Sequence, residues 1–299
     1  MKRFAFLLTL VAGTLWGMIG YFVRSLQSSG LSSMQIVSVR MVISAVIFSV
    51  FALVFKRSLF KIKLKDLWCF IGTGVVSVAF FSACYFKAIE LSSLSVASIL
   101  LYTAPIFVMI FSVFLFKEKL TVIKIVSLLL AFLGCLFVTG VLGDSGSFNA
   151  VAVAFGVMSG VCYALYSIFS RLALNRGYSP LTITLYTFIF SGVTSLFLID
   201  VKPVVNVMFE DMGSVMFCVL FAVLSSVLPY ATYTLSLKYI KASTASIIAS
   251  IEPVVATITG AVLFDEVVDF PFGYVGIVFV ILSVVLINTV PDDNKSCEN

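Results

Sequence analysis

The chain alternates between long apolar runs and short polar separators over nearly its whole length. Each apolar run reaches roughly the 20 residues that a helix needs to cross a hydrocarbon core of about 30 Å. Short segments of alternating polarity, which are typical of a membrane β-barrel, are not seen. The pattern therefore predicts an all-α integral membrane protein with ten transmembrane helices. We place them near residues 4–23, 34–55, 67–89, 94–116, 121–141, 149–170, 180–199, 213–237, 243–264 and 271–290.

The first apolar run follows Lys2 and Arg3, as the apolar core of a signal peptide does. No small-x-small cleavage site ends this run, and Trp16, Tyr21 and Arg24 follow instead. We interpret it as a retained first helix.

Composition removes several function classes. Charged residues make up 11% of the 299 residues, where soluble domains carry roughly a quarter, so little room is left for an aqueous domain. The chain has no His, which excludes a His catalytic triad, a His metal site and a His proton relay. Its six cysteines form no C-x-x-C pair and are interpreted as packing residues. We therefore predict no cofactor and no metal.

Positive charge alternates from one connection to the next. The N-terminus, every second connection and the C-terminal tail carry 15 Lys and Arg residues, whereas the opposite set carries only Arg24, Lys87 and Lys202. Arg40 lies inside a predicted span. Because cytoplasmic loops are enriched in Lys and Arg, the bias predicts that both termini are cytoplasmic.

The two halves of the chain repeat each other. A shift of 148 residues aligns Tyr85 with Tyr233, the stretch 95–99 with 243–247, and Glu118 with Glu266. Near the start of each half, a shift of 147 aligns Arg24 with Arg171. We place the repeats at residues 1–142 and 148–290, followed by a short polar cytoplasmic tail at 291–299.

Each repeat contains five predicted spans, and five is an odd number. The second repeat must therefore be inserted upside down relative to the first. Inverted repeats are typical of alternating-access transporters, in which one half rocks against the other around a shared site.

These motifs together resemble a known family. Leu15-Trp16-Gly17 in the first span, Arg40 in the second, and the paired stretches 85–118 and 233–266 resemble EamA-type proteins of the drug/metabolite transporter superfamily. The resemblance implies a bacterial inner-membrane carrier with ten helices. It also implies export of amino acids, related metabolites or toxic compounds.

Glu252 is the first candidate for a transport role. Helix rise places it about 13 Å into its span, near the membrane midplane. A carboxylate is expensive there and faces a protein interior or a wet cavity. Pro253 follows and is expected to free the carbonyl of Ala249 inside one helix. We predict a substrate-ammonium or proton-coupling site, with a structural hydrogen bond between helices as the alternative.

A second group of candidates supplies positive charge and aromatic rings. Arg40 is always charged and needs a carboxylate, carbonyls, water or a substrate carboxylate. Lys87 either attracts an anionic group or simply pairs with Glu90 one turn away. Aromatic rings with a polar group suit an amphipathic organic ligand, although each can equally bond between helices. The aromatic candidates are Trp16, Tyr85, Tyr102, Tyr163, Tyr230 and Tyr233.

Other repeated features are interpreted as structural. Glu118 and Glu266 end matching spans and are expected to accept hydrogen bonds from backbone amides at a facing helix start. The pairs Gly13/Gly17 and Gly156/Gly160 allow close helix contact.

The sequence favours a secondary carrier that exports a small amphipathic metabolite such as an amino acid or an organic cation. An uncoupled facilitator or an importer of the same solutes is the alternative. The sequence contains no nucleophile–base pair that would indicate an enzyme. It also contains no Walker-type loop that would indicate a primary pump. The expected partners are the lipid bilayer and a small-molecule substrate, not nucleic acid. Because one chain contains both repeats, a monomer suffices for transport; a homodimer is the alternative.

Overall fold

The structure, a computed structural model, describes residues 1–141, 149–267 and 271–290. Within these ranges it is almost entirely helical and contains no strand. A helical segment lies at each of the ten predicted places. We label them α1 Lys2–Ser28, α2 Ser33–Phe55, α3 Leu64–Leu91, α4 Leu94–Phe116, α5 Val122–Val138, α6 Ala150–Asn175, α7 Pro180–Leu196, α8 Met212–Ser236, α9 Ala242–Phe264 and α10 Phe272–Thr289.

Eight of these segments are long and apolar enough to cross a membrane. The other two, α5 and α7, have 17 residues each. The all-α membrane fold with two five-helix repeats is therefore confirmed. The predicted separator 143–147 and tail 291–299, with Lys295 and Cys297, lie outside the described residues.

The connection after α7 differs from the prediction. The predicted spans 180–199 and 213–237 leave residues 200–212 as a connection without a helix, but a short helix, Val201–Met208, begins there at 114° to α7. The side chain of Asp200 accepts a hydrogen bond from the backbone N–H of Lys202 and so caps this helix. Val204 is the buried residue of this helix. A local cap and one buried valine thus turn a polar linker into a helix.

Two prolines break helices that we expected to be continuous. α4 consists of Leu94–Leu101 and Ala104–Phe116, and α9 consists of Ala242–Ala249 and Glu252–Phe264. Each second piece carries its proline in the first turn, where the missing N–H costs no hydrogen bond. The expectation of one helix around each proline was therefore wrong.

The repeats match in their irregularities as well as in their helix count. α3 and α8 each contain a π-helical stretch, Gly72–Phe80 and Val223–Val227. Lys117 and Asp265, which are 148 residues apart, end α4 and α9 with the same left-handed φ of 53°. Similar departures from ideal helix at matching positions indicate a duplicated unit.

Glycines connect the two repeats at the helix breaks. A Cβ on Gly17 of α1 would lie 2.6 Å from the carbonyl oxygen of Glu252, beside the break in α9. A Cβ on Gly160 of α6 would lie 2.7 Å from the Thr103 Oγ1 atom, beside the break in α4. Each repeat therefore packs a glycine-bearing helix against the broken helix of the other repeat, consistent with the packing role expected of these glycines.

Candidate functional site

A cavity of about 580 Å³ lies between the two repeats. Trp16 and Arg40 line its deep part and are each 8% exposed. Arg24 and Glu266 also line it, but their side chains are 44% and 49% exposed. The cavity therefore opens where α1 ends.

The two described chain ends lie on the opposite side. The ammonium of Lys2, at the start of α1, donates a hydrogen bond to the carbonyl of Asn288 near the end of α10, at 2.8 Å. We call the face with Lys2 the N-terminal face and the other the mouth face. Access to the cavity in this conformation is from the mouth face.

Glu252 reaches the cavity from the break in α9. It occupies the first turn of the helix Glu252–Phe264, where the positive end of the helix dipole favours a carboxylate. The hydroxyl of Tyr163 on α6 donates a hydrogen bond to its Oε2 atom at 3.2 Å. Tyr163 is the one hydrogen-bond donor to this carboxylate among the described residues, and a carboxylate can accept from more than one donor.

Arg40 reaches the same cavity from α2. Its Nε atom is buried and has no hydrogen-bond partner in the part of the chain that the structure describes. Arg40 and Glu252 form no ion pair among the described residues. Because buried charged donors are normally satisfied, the Nε–H of Arg40 is a donor left unused among the described residues.

Aromatic rings form one wall of the cavity. The Trp16 ring centroid lies 6.3 Å from that of Tyr163 and 5.4 Å from that of Tyr230. Tyr85 shares a hydrogen bond of 3.0 Å with Ser98. Tyr102 lies at the break in α4 and also lines the cavity.

Two candidates lie away from the cavity lining. Tyr233 packs behind Trp16, with 5.4 Å between centroids, and shares a hydrogen bond of 2.8 Å with Ser167. Lys87 pairs with Glu90 at 2.7 Å on the exposed end of α3. The structure thus brings Trp16, Arg40, Tyr85, Tyr102, Tyr163, Tyr230 and Glu252 to one cavity.

A buried polar cluster lies on the N-terminal face. The Lys124 ammonium is 3.0 Å from the Glu118 carboxylate, and their side chains are 2% and 8% exposed. The Ser243 hydroxyl, in the first turn of α9, donates to the same carboxylate oxygen. The facing helix start was expected, but both of these donors are side chains and not the backbone amides we predicted. We call Glu118, Lys124 and Ser243 the inner seal.

The matching carboxylate on the mouth face has a different partner. Glu266 lies 2.5 Å from the Arg24 guanidinium, and that guanidinium also lies over the Phe264 ring at 4.3 Å. This is again a side-chain donor in place of the expected backbone amides. Because both side chains are half exposed, this ion pair leaves the mouth open.

Sequence reasoning missed the role of Lys124, which it counted only as a loop charge. The signal was its position, since Lys124 follows the N-cap Thr121 and lies inside the fifth helix. A lysine inside an apolar helix needs a partner, and Glu118 is six residues away.

Comparison with known proteins agrees with this architecture. The model of the EamA-like transporter family matches the chain twice, over residues 3–140 and 150–289. The chain belongs to the EamA-like transporter family. The resemblance seen in the sequence motifs is thereby confirmed.

Relatives of this EamA protein carry transporter names. An "Uncharacterized transporter" of Archaeoglobus fulgidus is 30% identical over 258 residues, which cover 85% of this chain and 87% of the relative. The "Uncharacterized transporter YyaM" of Bacillus subtilis is 27% identical over 242 residues, covering 78% and 77%. A solved crystal structure superposes with a TM-score of 0.77 at 15% identity over 94% of this chain and 95% of its own, and shares the fold. The chain is a multi-pass membrane transporter.

Proposed function

We propose that this EamA protein is a secondary carrier that exports a small amphipathic zwitterion, an amino acid or a related metabolite, by alternating access. One observation carries the proposal. Arg40, whose Nε–H has no partner among the described residues, and Glu252, whose carboxylate accepts from Tyr163, line the same cavity and form no ion pair there. We place the carrier in the bacterial inner membrane with both termini cytoplasmic, following the Lys and Arg bias.

The charges favour a zwitterion over an organic cation. A substrate ammonium would bind Glu252, and a substrate carboxylate would bind Arg40 in the bidentate geometry that a guanidinium offers. A purely cationic solute would leave Arg40 unsatisfied and would be repelled by it. A metabolite with one charge of each sign neutralises both groups.

The aromatic wall favours a substrate with an apolar part. Trp16, Tyr163 and Tyr230 line the same cavity as the two charged groups and lie ring against ring there. Aromatic side chains combine apolar area with a polar group. An amphipathic metabolite satisfies this arrangement better than a bare ion does.

The two ends of the cavity support alternating access over a channel. Arg24 and Glu266 leave the mouth face open, whereas the inner seal is almost completely buried. A cavity that is open on one face and closed on the other suits a carrier in one of its two states.

Glu252 is the proposed proton-coupling residue. A carboxylate that binds either a proton or the substrate ammonium links loading of one to release of the other. Protons moving inward would then drive the zwitterion outward.

The test is transport by the purified protein in proteoliposomes. Neutral amino acids, the amines formed by their decarboxylation, and their deaminated acids are supplied in parallel under pH gradients of both signs. We expect gradient-driven flux of the amino acids and little flux of the single-charge analogues. Equal flux of the amines would contradict the zwitterion, and flux that ignores the gradient would indicate a facilitator. Net uptake into whole cells would indicate an importer.

A further inference from the structure

A second contact lies beside the inner seal on the N-terminal face. Besides Glu118, Lys124 and Ser243, the buried Arg171 of α6 donates hydrogen bonds to the carbonyls of Leu237 and Ile240 at the end of α8. A guanidinium at a helix C-terminus satisfies carbonyls that lack helical partners. This contact holds α6 against the end of α8.

The repeat shift locates the counterparts of these residues on the mouth face. A shift of 148 residues aligns Glu118 with Glu266, Ser243 with Ser95, and Leu237 with Ile89. The shift of 147 residues aligns Arg171 with Arg24. All four counterparts, Arg24, Ile89, Ser95 and Glu266, line the open cavity.

These counterparts are not arranged as the inner ones are. Ser243 donates to Glu118 on the closed face, whereas on the open face Glu266 binds Arg24 and Ser95 lines the cavity. Among the described residues, a hydrogen bond therefore joins Ser243 to Glu118 on one face, whereas none joins their counterparts Ser95 and Glu266 on the other. That is the relation expected of the two gates of an inverted-repeat carrier.

We propose that Arg24, Ile89, Ser95 and Glu266 form the outer gate of a second conformation. In that state the Ser95 hydroxyl donates to the Glu266 carboxylate, as Ser243 now donates to Glu118. Arg24 donates to the carbonyl of Ile89, as Arg171 now donates to the carbonyl of Leu237. The inference rests on the proposed alternating access and adds the residues that close the mouth.

The outer gate differs from the inner seal in its cation. Phe272 stands where the repeat shift would require a counterpart of Lys124, so α10 supplies no ammonium to Glu266. Arg24 replaces it, since it already binds Glu266. A guanidinium has five N–H donors and can bind the Glu266 carboxylate and the end of α3 at the same time.

A pair of mirror variants tests the proposal without measuring transport. Thr257, which lines the cavity, is changed to Cys as a reporter in a chain whose six native cysteines are replaced by Ser or Ala. Right-side-out vesicles are then labelled with a membrane-impermeant thiol reagent. Ser95→Ala removes a hydroxyl from the outer gate and should weaken it. Ser243→Ala removes the matching hydroxyl from the inner seal and should weaken that contact.

The two variants should move labelling in opposite directions. Loss of a hydrogen bond to a charged group shifts the balance of the two states by about tenfold. We therefore expect faster labelling with Ser95→Ala and slower labelling with Ser243→Ala, both relative to the reporter alone. Glu90→Gln, on the exposed Lys87–Glu90 pair of the same face, should leave the rate unchanged. Unchanged labelling in Ser95→Ala would overturn the outer gate.

Cross-linking gives a second measurement. The pair Ser95→Cys with Glu266→Cys, in a chain without the Thr257→Cys reporter, is treated with a short bifunctional thiol reagent during substrate exchange and should cross-link. The pair Glu118→Cys with Ser243→Cys should cross-link without substrate. Failure of the outer pair while the inner pair links would reject the gate. If accessibility moves as expected but no zwitterion is transported, the gate stands and the proposed substrate is wrong.

Discussion

The hydroxyl of Tyr163 on α6 donates a hydrogen bond to the carboxylate of Glu252 on α9, with 3.2 Å between the two oxygens. The Tyr163 ring also lies 6.3 Å from Trp16 and 5.5 Å from Phe81, measured between centroids. The carboxylate is thus attached to the aromatic wall of the cavity. A substrate that binds Glu252 must share it with Tyr163 or displace that hydroxyl.

Tyr163→Phe tests this link because it removes only the hydroxyl and keeps the ring packing. A hydrogen bond to a charged group contributes about 1.5–3 kcal/mol. We expect substrate affinity to change by about tenfold, with little change in the unfolding temperature. Binding is measured by titration of the detergent-solubilised protein.

Tyr166→Phe is the matched control for that change. The Tyr166 hydroxyl is bonded to Thr234 at 2.6 Å and is not part of the cavity lining. This variant should lower stability by about 1 kcal/mol and leave substrate affinity unchanged. Equal effects of the two variants on affinity would show that Tyr163 acts only through packing.

Glu252→Gln tests proton coupling. Glutamine keeps an oxygen that can accept from Tyr163 but cannot exchange a proton. We expect the protein to fold and to lose gradient-driven transport, measured as substrate flux in proteoliposomes with and without a pH difference. Glu90→Gln on the exposed face serves as the control. Full proton-dependent flux in Glu252→Gln would remove this residue from the coupling step.

Arg40→Gln tests the carboxylate end of the site. Loss of a charge-assisted, bidentate contact should weaken binding of an amino acid by about tenfold or more. Binding of the corresponding amine should be unchanged or tighter, because the repelling charge is gone. Arg57→Gln, in the turn Arg57–Phe60 outside the cavity, controls for net charge. An equal loss for amino acid and amine would assign Arg40 a structural role.

Some of this site follows from sequence, and the reason is the cost of charge in a membrane. Glu252 and Arg40 stand out because ionisable groups inside apolar spans are rare and face a wet or polar interior. The two residues share one cavity only because the repeats pack against each other. The hydrophobic periodicity of the sequence does not predict that packing. Tyr85 and Tyr233 show the same limit, since they match in the repeat yet only Tyr85 lines the cavity.

The helix breaks could not be predicted from the sequence pattern either. Pro105 and Pro253 were visible, but a proline can kink a continuous helix or begin a new one. Which of these happens depends on the neighbouring helix. Gly17 lets α1 approach the carbonyl of Glu252 at the break, and such tertiary contacts are absent from a hydropathy profile.

The inner seal leads to a prediction about stability. Glu118→Gln leaves the Lys124 ammonium buried without its counter-charge, and breaking a buried ion pair from one side costs about 3–5 kcal/mol. The double change Glu118→Gln with Lys124→Met removes the charge as well and should recover most of that loss. Thermal unfolding in detergent measures both. A double variant as unstable as the single one would show that the ion pair is not the cause.

Gly17→Ala tests how closely α1 must approach the site. A Cβ at this position would lie 2.6 Å from the Glu252 carbonyl oxygen and 2.6 Å from the Val255 Cβ, and the backbone contact cannot relax by a rotamer change. We expect a loss of about 1–3 kcal/mol of stability together with reduced substrate binding, because α9 must shift. Gly20→Ala, in the same membrane span, is the control for stability alone, because Gly20 lines the cavity. No atom lies within 4 Å of its added Cβ, so it should be neutral or stabilising. The unfolding temperature of both variants and substrate titration of Gly17→Ala against the unsubstituted protein check this. If Gly17→Ala behaved like Gly20→Ala, the close approach of α1 to the break in α9 would not be what positions Glu252.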